Sequence, residues 1–297
     1  MRETFLITGA TGKVGSAVAR ALAAQGIRAR LAHHAAASDI DSHDVVPFDY
    51  DDPATIRAAL DGVDGLFLLT PPSNRQTDWA ALTIDLAMGA GVDRIVRLSV
   101  AAAPLVPGIQ LGRWHRMTER YLQASGARWT IVRPVPYMQN FLGMYSTADD
   151  GALTAPLGDG AISYVDAEDV GRFCAWALQN DDTIGEIYTV TGNDVLPTSD
   201  AVATLETALG TAIAYRPAAI GDWRRQMAAG GAPDWFVNAL AELFTALGSG
   251  AVSATTSTLA NTLPSPPTSF TDFAARDRDQ LRARFSPQQD LPTRSQS

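Results

Sequence analysis

The stretch Thr4-Phe5-Leu6-Ile7-Thr8-Gly9-Ala10-Thr11-Gly12-Lys13-Val14-Gly15 restricts the possible folds more than any other part of the chain. A short apolar, β-branched run breaks at a loop with glycine at 9, 12 and 15, after which Val14, Val18 and Leu22 recur at helical spacing. The order is strand, tight turn, helix. Lacking a Cβ, Gly9 can turn sharply out of the strand, Gly12 can let a phosphate reach the backbone, and Gly15 can let the helix pack closely. The helix start then offers unpaired N–H groups and a positive dipole end to a diphosphate. Flanked by its strand and helix, the Gly-x-x-Gly-x-x-Gly loop predicts a dinucleotide site whose first members are Gly9, Thr11, Gly12, Lys13, Val14 and Gly15.

Further strands are predicted over 27–34, 45–49, 65–70, 94–100 and 129–133, and helices over 53–60, 78–90 and 113–124. This alternation with short connections predicts an α/β fold: a doubly wound parallel Rossmann sheet with a ligand crevice at the carboxyl ends of its strands. Beyond the glycine loop those ends carry His34, Asp49, Tyr50, Thr70, Pro71 and Ser99. After Tyr137 the pattern loosens into a Gly/Pro-rich segment at 155–160, a helix over 167–178, a strand over 186–191 and helices over 199–209 and 235–247. The expected organisation is a Rossmann domain over 1–153, a smaller, mostly helical substrate lobe over 154–285 with segments returning to the sheet, and a disordered tail over 286–297.

Composition narrows the partners. With 297 residues and 46% hydrophobic content the chain can bury a full core, and a net charge of −9 without clustered Lys and Arg argues against nucleic-acid contact. No leader precedes the first strand and no apolar run is long enough to span a bilayer, so a cytoplasmic protein with no membrane partner is expected, as monomer or homodimer. Cys174, the only cysteine, forms no disulfide within the chain and reads as a buried inert thiol. No metal centre is expected. Lys13 is the only lysine, and it lies in the glycine loop. At the end of the second strand no acid appears before Asp39, so His34 and Lys13 can together receive a 2′-phosphate, which favours NADP(H) over NAD(H); a simply solvated His33-His34 pair is the alternative. Asp49-Tyr50 falls where an adenine edge would lie.

Several motifs carry a family resemblance. Thr8-Gly9-Ala10-Thr11-Gly12-Lys13-Val14-Gly15, the strand end at Ser99, His115-x-x-x-Glu119-x-x-Leu122-x-x-Ser125-Gly126, and Trp129-Thr130-Ile131-Val132-Arg133-Pro134 followed by Asn140 resemble the NmrA-like, atypical short-chain dehydrogenase/reductase family. Ile187-Tyr188-Thr189-Val190-Thr191-Gly192 and Pro267-Thr268-Ser269-Phe270-Thr271-Asp272-Phe273 look like its closing motifs, so the likeness covers about residues 4 to 275. The resemblance implies a Rossmann fold that binds NADP(H) or NAD(H), with Pro134 and His115 on the cofactor. It also implies activities ranging from quinone, dye and imine reduction to cofactor sensing without turnover.

Ordinary short-chain reductases use a Tyr-x-x-x-Lys pair, in which the lysine lowers the tyrosine pKa for proton delivery. Aligned on Glu119, this chain has His115 in the lysine slot and Leu111 in the tyrosine slot, and leucine transfers no proton. Three residues remain as catalytic candidates. His115 hydrogen-bonds the nicotinamide ribose, or donates a proton itself, or is a packed helix histidine; Ser99 either orients a carbonyl or caps its strand, and Tyr137 is either an acid or a wall residue. Trp114, Tyr137, Met138, Phe141 and Met144 are candidates for an apolar substrate surface, with plain core as the alternative for the aromatic and Met cluster; Asn140 hydrogen-bonds either ligand or backbone, and Glu119 is expected to pair with Arg113, Arg116 or Arg120 on its own helix. The expected activity is NAD(P)H-dependent reduction of an electrophilic aromatic or quinone-like small molecule. A cofactor-sensing regulatory protein and a non-redox tailoring enzyme are the alternatives.

Overall fold

The structure is a computed structural model that describes residues 3–33, 44–105 and 108–286. Its first strand shows why the sheet is central. Phe5, Leu6 and Ile7 are all fully buried, and their alternation splits them: Phe5 and Ile7 enter the core on one face, Leu6 the core on the other.

The Rossmann elements run β1 (Thr4–Ile7), α1 (Lys13–Ala24), β2 (Arg28–His33), β3 (Asp44–Pro47), α2 (Pro53–Leu60), β4 (Gly65–Leu68), α3 (Gln76–Gly89), β5 (Arg94–Leu98), α4 (Gln110–Ala124) and β6 (Arg128–Pro134). The chain continues through β7 (Ser146–Thr147), β8 (Leu153–Ala155), β9 (Ala161–Ile162), α5 (Ala167–Gln179) and β10 (Ile187–Val190). The main sheet has seven strands in the order β10-β6-β5-β4-β1-β2-β3, all parallel. The order reverses between β1 and β4, the switch point that opens a crevice at the strands' carboxyl ends. That is the doubly wound architecture the sequence predicts.

The remaining elements are β11 (Leu196–Pro197), α6 (Thr198–Leu209), β12 (Tyr215–Pro217), α7 (Ile220–Ala229), α8 (Asp234–Gly248), α9 (Thr258–Thr262), α10 (Phe270–Arg276) and α11 (Arg278–Phe285). With β7, β8 and β9 they form the helical lobe with two small sheets. Two segments within the span predicted as the lobe pack with the Rossmann elements, in keeping with the expectation that some segments return to the sheet. β10 extends the main sheet beside β6, and α5 packs along α1, where a Cβ on Gly171 would overlap the Ala17 methyl. The predicted tail lies outside the described residues from 287 onward. No described helix is long and apolar enough to cross a membrane.

The link between β6 and α5 is held by one node. A 3₁₀ turn, Met138–Leu142, presents Gln139, whose Nε2 donates to Asp166 Oδ1 (2.8 Å) while its Oε1 accepts from Ala167 N (3.0 Å). Asp166 also caps α5 through Glu168 N, and its Oδ2 pairs with Arg276 of α10 at 2.8 Å. The turn after β6 is therefore fixed on both sides, and it borders the site described next.

Candidate functional site

Gly9 leaves β1 at φ +63°, left-handed backbone where a side chain is strained, and a Cβ there would also press on Leu69 Cδ2 at 2.7 Å. The Gly12 N–H donates to the Gly9 carbonyl (2.9 Å), closing the turn. A Cβ on Gly15 would overlap that same carbonyl oxygen, so the first turn of α1 lies directly against the loop. The N-cap of α1 is Gly12, with no side-chain cap and no acidic residue in the first turn. Its leading N–H groups thus face the crevice without an internal partner, as a diphosphate requires.

Gly9, Thr11 and Gly12 line a cleft of about 560 Å³ with Ala32, Asp49, Tyr50, Thr70, Pro71 and Trp79. The predicted cofactor residues on β1, β3 and β4 therefore meet in one place. Trp79 was not anticipated: its ring stacks on Tyr50 at 5.5 Å and 23°, and its Nε1 donates to Asp51 Oδ1 at 2.8 Å. Nothing in the sequence pattern of α3 singles it out. The Tyr50 hydroxyl is spent on Leu69 O (2.7 Å), and burial holds its pKa up at about 12, so this residue offers an aromatic face rather than a hydrogen bond. Val14 and Gly15 are buried and shape the loop through backbone and packing. His34 lies outside the described residues.

Lys13 does not point toward the β2 end. Its Nζ donates to Gln139 O (3.1 Å) and Asn140 Oδ1 (3.2 Å) in the turn after β6, three strands from β1 on the side away from β2. The ammonium is thus held at the β6 side of the crevice; His34, the other half of the expected phosphate pair, lies outside the described residues. Partial burial lowers its pKa.

A second cavity of about 210 Å³ opens at the carboxyl ends of β5 and β6. Its walls include Val100, Pro134, Tyr137, Asn140, Met144 and Tyr145, closed from the lobe by Leu243, Phe244 and Leu247 of α8 and by Val252. Among the described residues no charged side chain lines it. Of the predicted substrate residues, Tyr137, Asn140 and Met144 are on this wall. Met138 and Phe141 are core: Phe141 is fully buried with its ring edge-on to Tyr145, Tyr164 and Phe270. Trp114 lies 6.0 Å from Trp235 of α8, outside both cavities. Tyr145 and the α8 residues were missed, because their place on the wall comes from contacts about a hundred residues apart. Burial, with Cys174 nearby, pushes the Tyr137 phenol up, so it stays protonated.

Ser99 donates to Glu119 Oε1 (2.5 Å), and Arg133 grips the same carboxylate through Nε (2.8 Å) and Nη2 (2.5 Å). Glu119 is 1% exposed and turns inward to β5 and β6 rather than pairing along its own helix as expected. The Ser99 hydroxyl proton is therefore committed to a carboxylate. Beside this group Arg97, 1% exposed, donates to Leu68 O (3.0 Å) and Thr70 Oγ1 (3.1 Å), supporting the end of β4 at the larger cleft. Its pKa is lowered to about 10 by burial, against the opposing fields of Tyr50 and Glu119.

His115 has a buried Nδ1 without a partner, and burial, reinforced by the Arg97 cation, lowers its pKa to about 3. The ring is neutral at physiological pH, so the expected proton donation from an imidazolium is not available in this state; a neutral N–H can still donate a hydrogen bond. Between pH 6.5 and 3 the unfolded chain binds a proton at His115 that the folded chain does not. Stability then falls as pH drops through that window, by roughly 1 kcal/mol per pH unit. The expected result is that His115→Leu flattens this slope in urea titrations at pH 4–6, and an unaltered slope would contradict a neutral buried ring.

The family model that matches, the NmrA-like family, spans residues 1–274. The chain is similar to the NAD(P)H azoreductase of Xenophilus azovorans, 32% identical over 277 residues, covering 91% of this chain and 96% of that protein. Among solved structures it resembles the NADPH-dependent quinone oxidoreductase of Escherichia coli complexed with NADPH, at TM-score 0.79, 25% identity and coverage of 92% and 99%. It also shares the fold of the Citrobacter sp. triphenylmethane reductase complexed with NADP(H), at TM-score 0.79, 22% identity and coverage of 93% and 99%.

Proposed function

Because this chain belongs to the NmrA-like family, we propose that it is an NAD(P)H-dependent reductase of electrophilic aromatic or quinone-like small molecules. The observation that carries the reading is the arrangement of two cavities on one edge of the sheet. The larger is lined by an uncapped glycine turn and an aromatic wall, and the smaller, apolar one lies at the ends of β5 and β6. The first fits a dinucleotide, with Gly9, Thr11 and Gly12 on the diphosphate and Tyr50 and Trp79 beside the adenosine. When bound, the cofactor supplies a hydride from its nicotinamide. The chain's own residues do the rest: the strand ends position that ring, and the apolar walls hold a flat acceptor against it and exclude water.

The relatives support the same reading, since one is named an NAD(P)H azoreductase and another is described as a quinone oxidoreductase complexed with NADPH. NADP(H) is the favoured cofactor because no acid lies in the described part of β2. Oligomeric state is proposed as monomer or homodimer, and the cytoplasm as location.

Thermal-shift titration with NADPH, NADP⁺, NADH and NAD⁺ tests the cofactor, since only ligands of the folded state raise its melting temperature. NADPH is expected to give the largest shift. Loss of nicotinamide absorbance with menadione or an azo dye tests turnover. Binding of NADPH without oxidation by any acceptor would turn the reading toward a cofactor sensor.

A further inference from the structure

The two cavities have no lining residue in common among the described residues, yet one side chain joins them. Lys13 is the first residue of α1, and its backbone N–H belongs to the uncapped group that faces the cofactor crevice. Its ammonium donates to Gln139 O (3.1 Å) and Asn140 Oδ1 (3.2 Å), so the residue that opens the diphosphate helix also holds the turn after β6. A lysine ammonium is a donor only, which leaves the Asn140 amide one orientation: Oδ1 toward Lys13, and its nitrogen toward the buried Tyr145 hydroxyl, itself engaged with Tyr164. Asn140 is also the centre of the acceptor wall. Its N–H donates to Tyr137 O (3.0 Å) and its carbonyl accepts from Met144 N (2.9 Å), and all three residues line the apolar cavity. The neighbouring Gln139 side chain is fixed to Asp166 and Ala167, so the turn has one anchor at the start of α5 and the other at the start of α1.

We propose that Lys13 is a positioning residue that makes acceptor affinity depend on an occupied diphosphate site. The inference rests on the reductase reading and adds to it a coupling between its two cavities. A diphosphate received by the leading N–H groups fixes the first turn of α1, and with it the root of the Lys13 stem. A stem anchored at both ends has already lost the rotamer freedom that holding Asn140 otherwise costs. The wall of Tyr137, Asn140 and Met144 is then set before the acceptor arrives, and less ordering opposes its binding. Charge acts in the same direction. Partial burial works against the charged ammonium, and an anion at the root of the stem favours it, which strengthens both of its bonds to the turn. Lys13 transfers no proton here and acts only through Asn140 and Gln139.

The test uses the full chain and ADP, which carries the diphosphate but no nicotinamide to stack on the acceptor, so coupling between the two ligands must run through the protein. Menadione affinity is measured by equilibrium dialysis without ADP and at saturating ADP, the concentration being set for each variant by its own thermal-shift titration. In the unmodified chain ADP is expected to lower the menadione Kd about tenfold. Lys13→Met keeps the stem without its donors and should bring that ratio to about one, whereas Lys13→Arg still donates to the turn and should keep about fivefold. Asn140→Ala is expected to lose the coupling as well, and the double variant Lys13→Met/Asn140→Ala to lose no more than either alone. Met144→Ala changes a wall residue outside the Lys13 bonds, and should weaken menadione equally with and without ADP. An undiminished ratio in Lys13→Met, or no tightening by ADP in the unmodified chain, would overturn the coupling while leaving the reductase reading intact. If ADP does not raise the melting temperature of the unmodified chain, or menadione does not bind it, the reading of the two cavities falls and the coupling falls with it.

Discussion

Gly15→Ala is expected to abolish the NADPH-induced rise in melting temperature, while Gly89→Ala, the same chemical change, is expected to leave it intact. The added methyl at position 15 would overlap the Gly9 carbonyl, with Gly9 C and Ala10 N also within 3.0 Å. All three are backbone atoms of the loop itself, so no flexible side chain can yield. The first turn of α1 must move off the loop, at an overpacking cost of about 1–3 kcal/mol, which a domain of this size survives. The N–H groups that would hold a diphosphate move with it. Because those bonds act together, a loss of cofactor affinity of about 100-fold is expected for a displacement of about 1 Å. At Gly89, near the end of α3, an added Cβ meets nothing within 4 Å. There the substitution removes backbone freedom from the unfolded chain and adds stability of up to ~1 kcal/mol. A Gly15→Ala protein that binds NADPH as tightly as the unmodified chain would overturn the placement of the diphosphate, and with it the reading of the larger cleft.

The sequence announced this half of the molecule because local rules govern it. Strands buried on both faces are mostly apolar runs, ended by glycine or proline where the chain turns; β1 and β4 obey both, whereas β5 carries Arg94 and the buried Arg97. The helix ends shifted by only a few residues, as for α3, which begins at Gln76 rather than Asp78. What stayed hidden depends on partners distant in sequence. The apolar cavity is closed on one side by α8, and no periodicity in either segment says that Leu243 and Phe244 share a wall with Pro134 and Tyr137. Phe141 shows the converse. An aromatic residue four positions past a predicted site residue looks like wall, but the 3₁₀ turn points it into the Tyr145, Tyr164 and Phe270 cluster. Lys13 was legible as exceptional from composition alone, yet its direction was not, since a long flexible stem reaches either half of the crevice. Glu119 was misjudged by a rule that holds for solvated helix faces. The buried stripe Gly112, Thr118, Glu119 and Leu122 on α4 places it inward, where pairing with neighbours on its own helix no longer applies.

That inward carboxylate bears the other large expected effect. Glu119 carries bonds from Ser99 and from both arms of Arg133, and its field also reaches the fully buried Arg97. Two guanidiniums thus share one carboxylate between β5, β6 and α4, and the neighbouring His115 stays neutral chiefly because its ring is buried, with the Arg97 cation adding to the effect. Removing the acid leaves both cations in low dielectric without a counter-charge. Glu119→Ala is therefore expected to cost about 3–5 kcal/mol, the range for breaking a buried pair from one side, which lowers the melting temperature by roughly 10 °C. Glu119→Gln keeps the shape and an acceptor for Ser99 and Arg133 but not the charge, and should fall between the two proteins. The double variant Glu119→Leu/Arg133→Leu removes both halves and is expected to recover most of the loss relative to Glu119→Ala, because the desolvation penalty of Arg133 goes with its partner. Unfolding in urea at pH 7 reads all three. If Glu119→Ala unfolded at the same denaturant concentration as the unmodified chain, the charges beneath this end of the crevice would be balanced by some other group, and the buried Arg97 and Arg133 would not depend on this carboxylate.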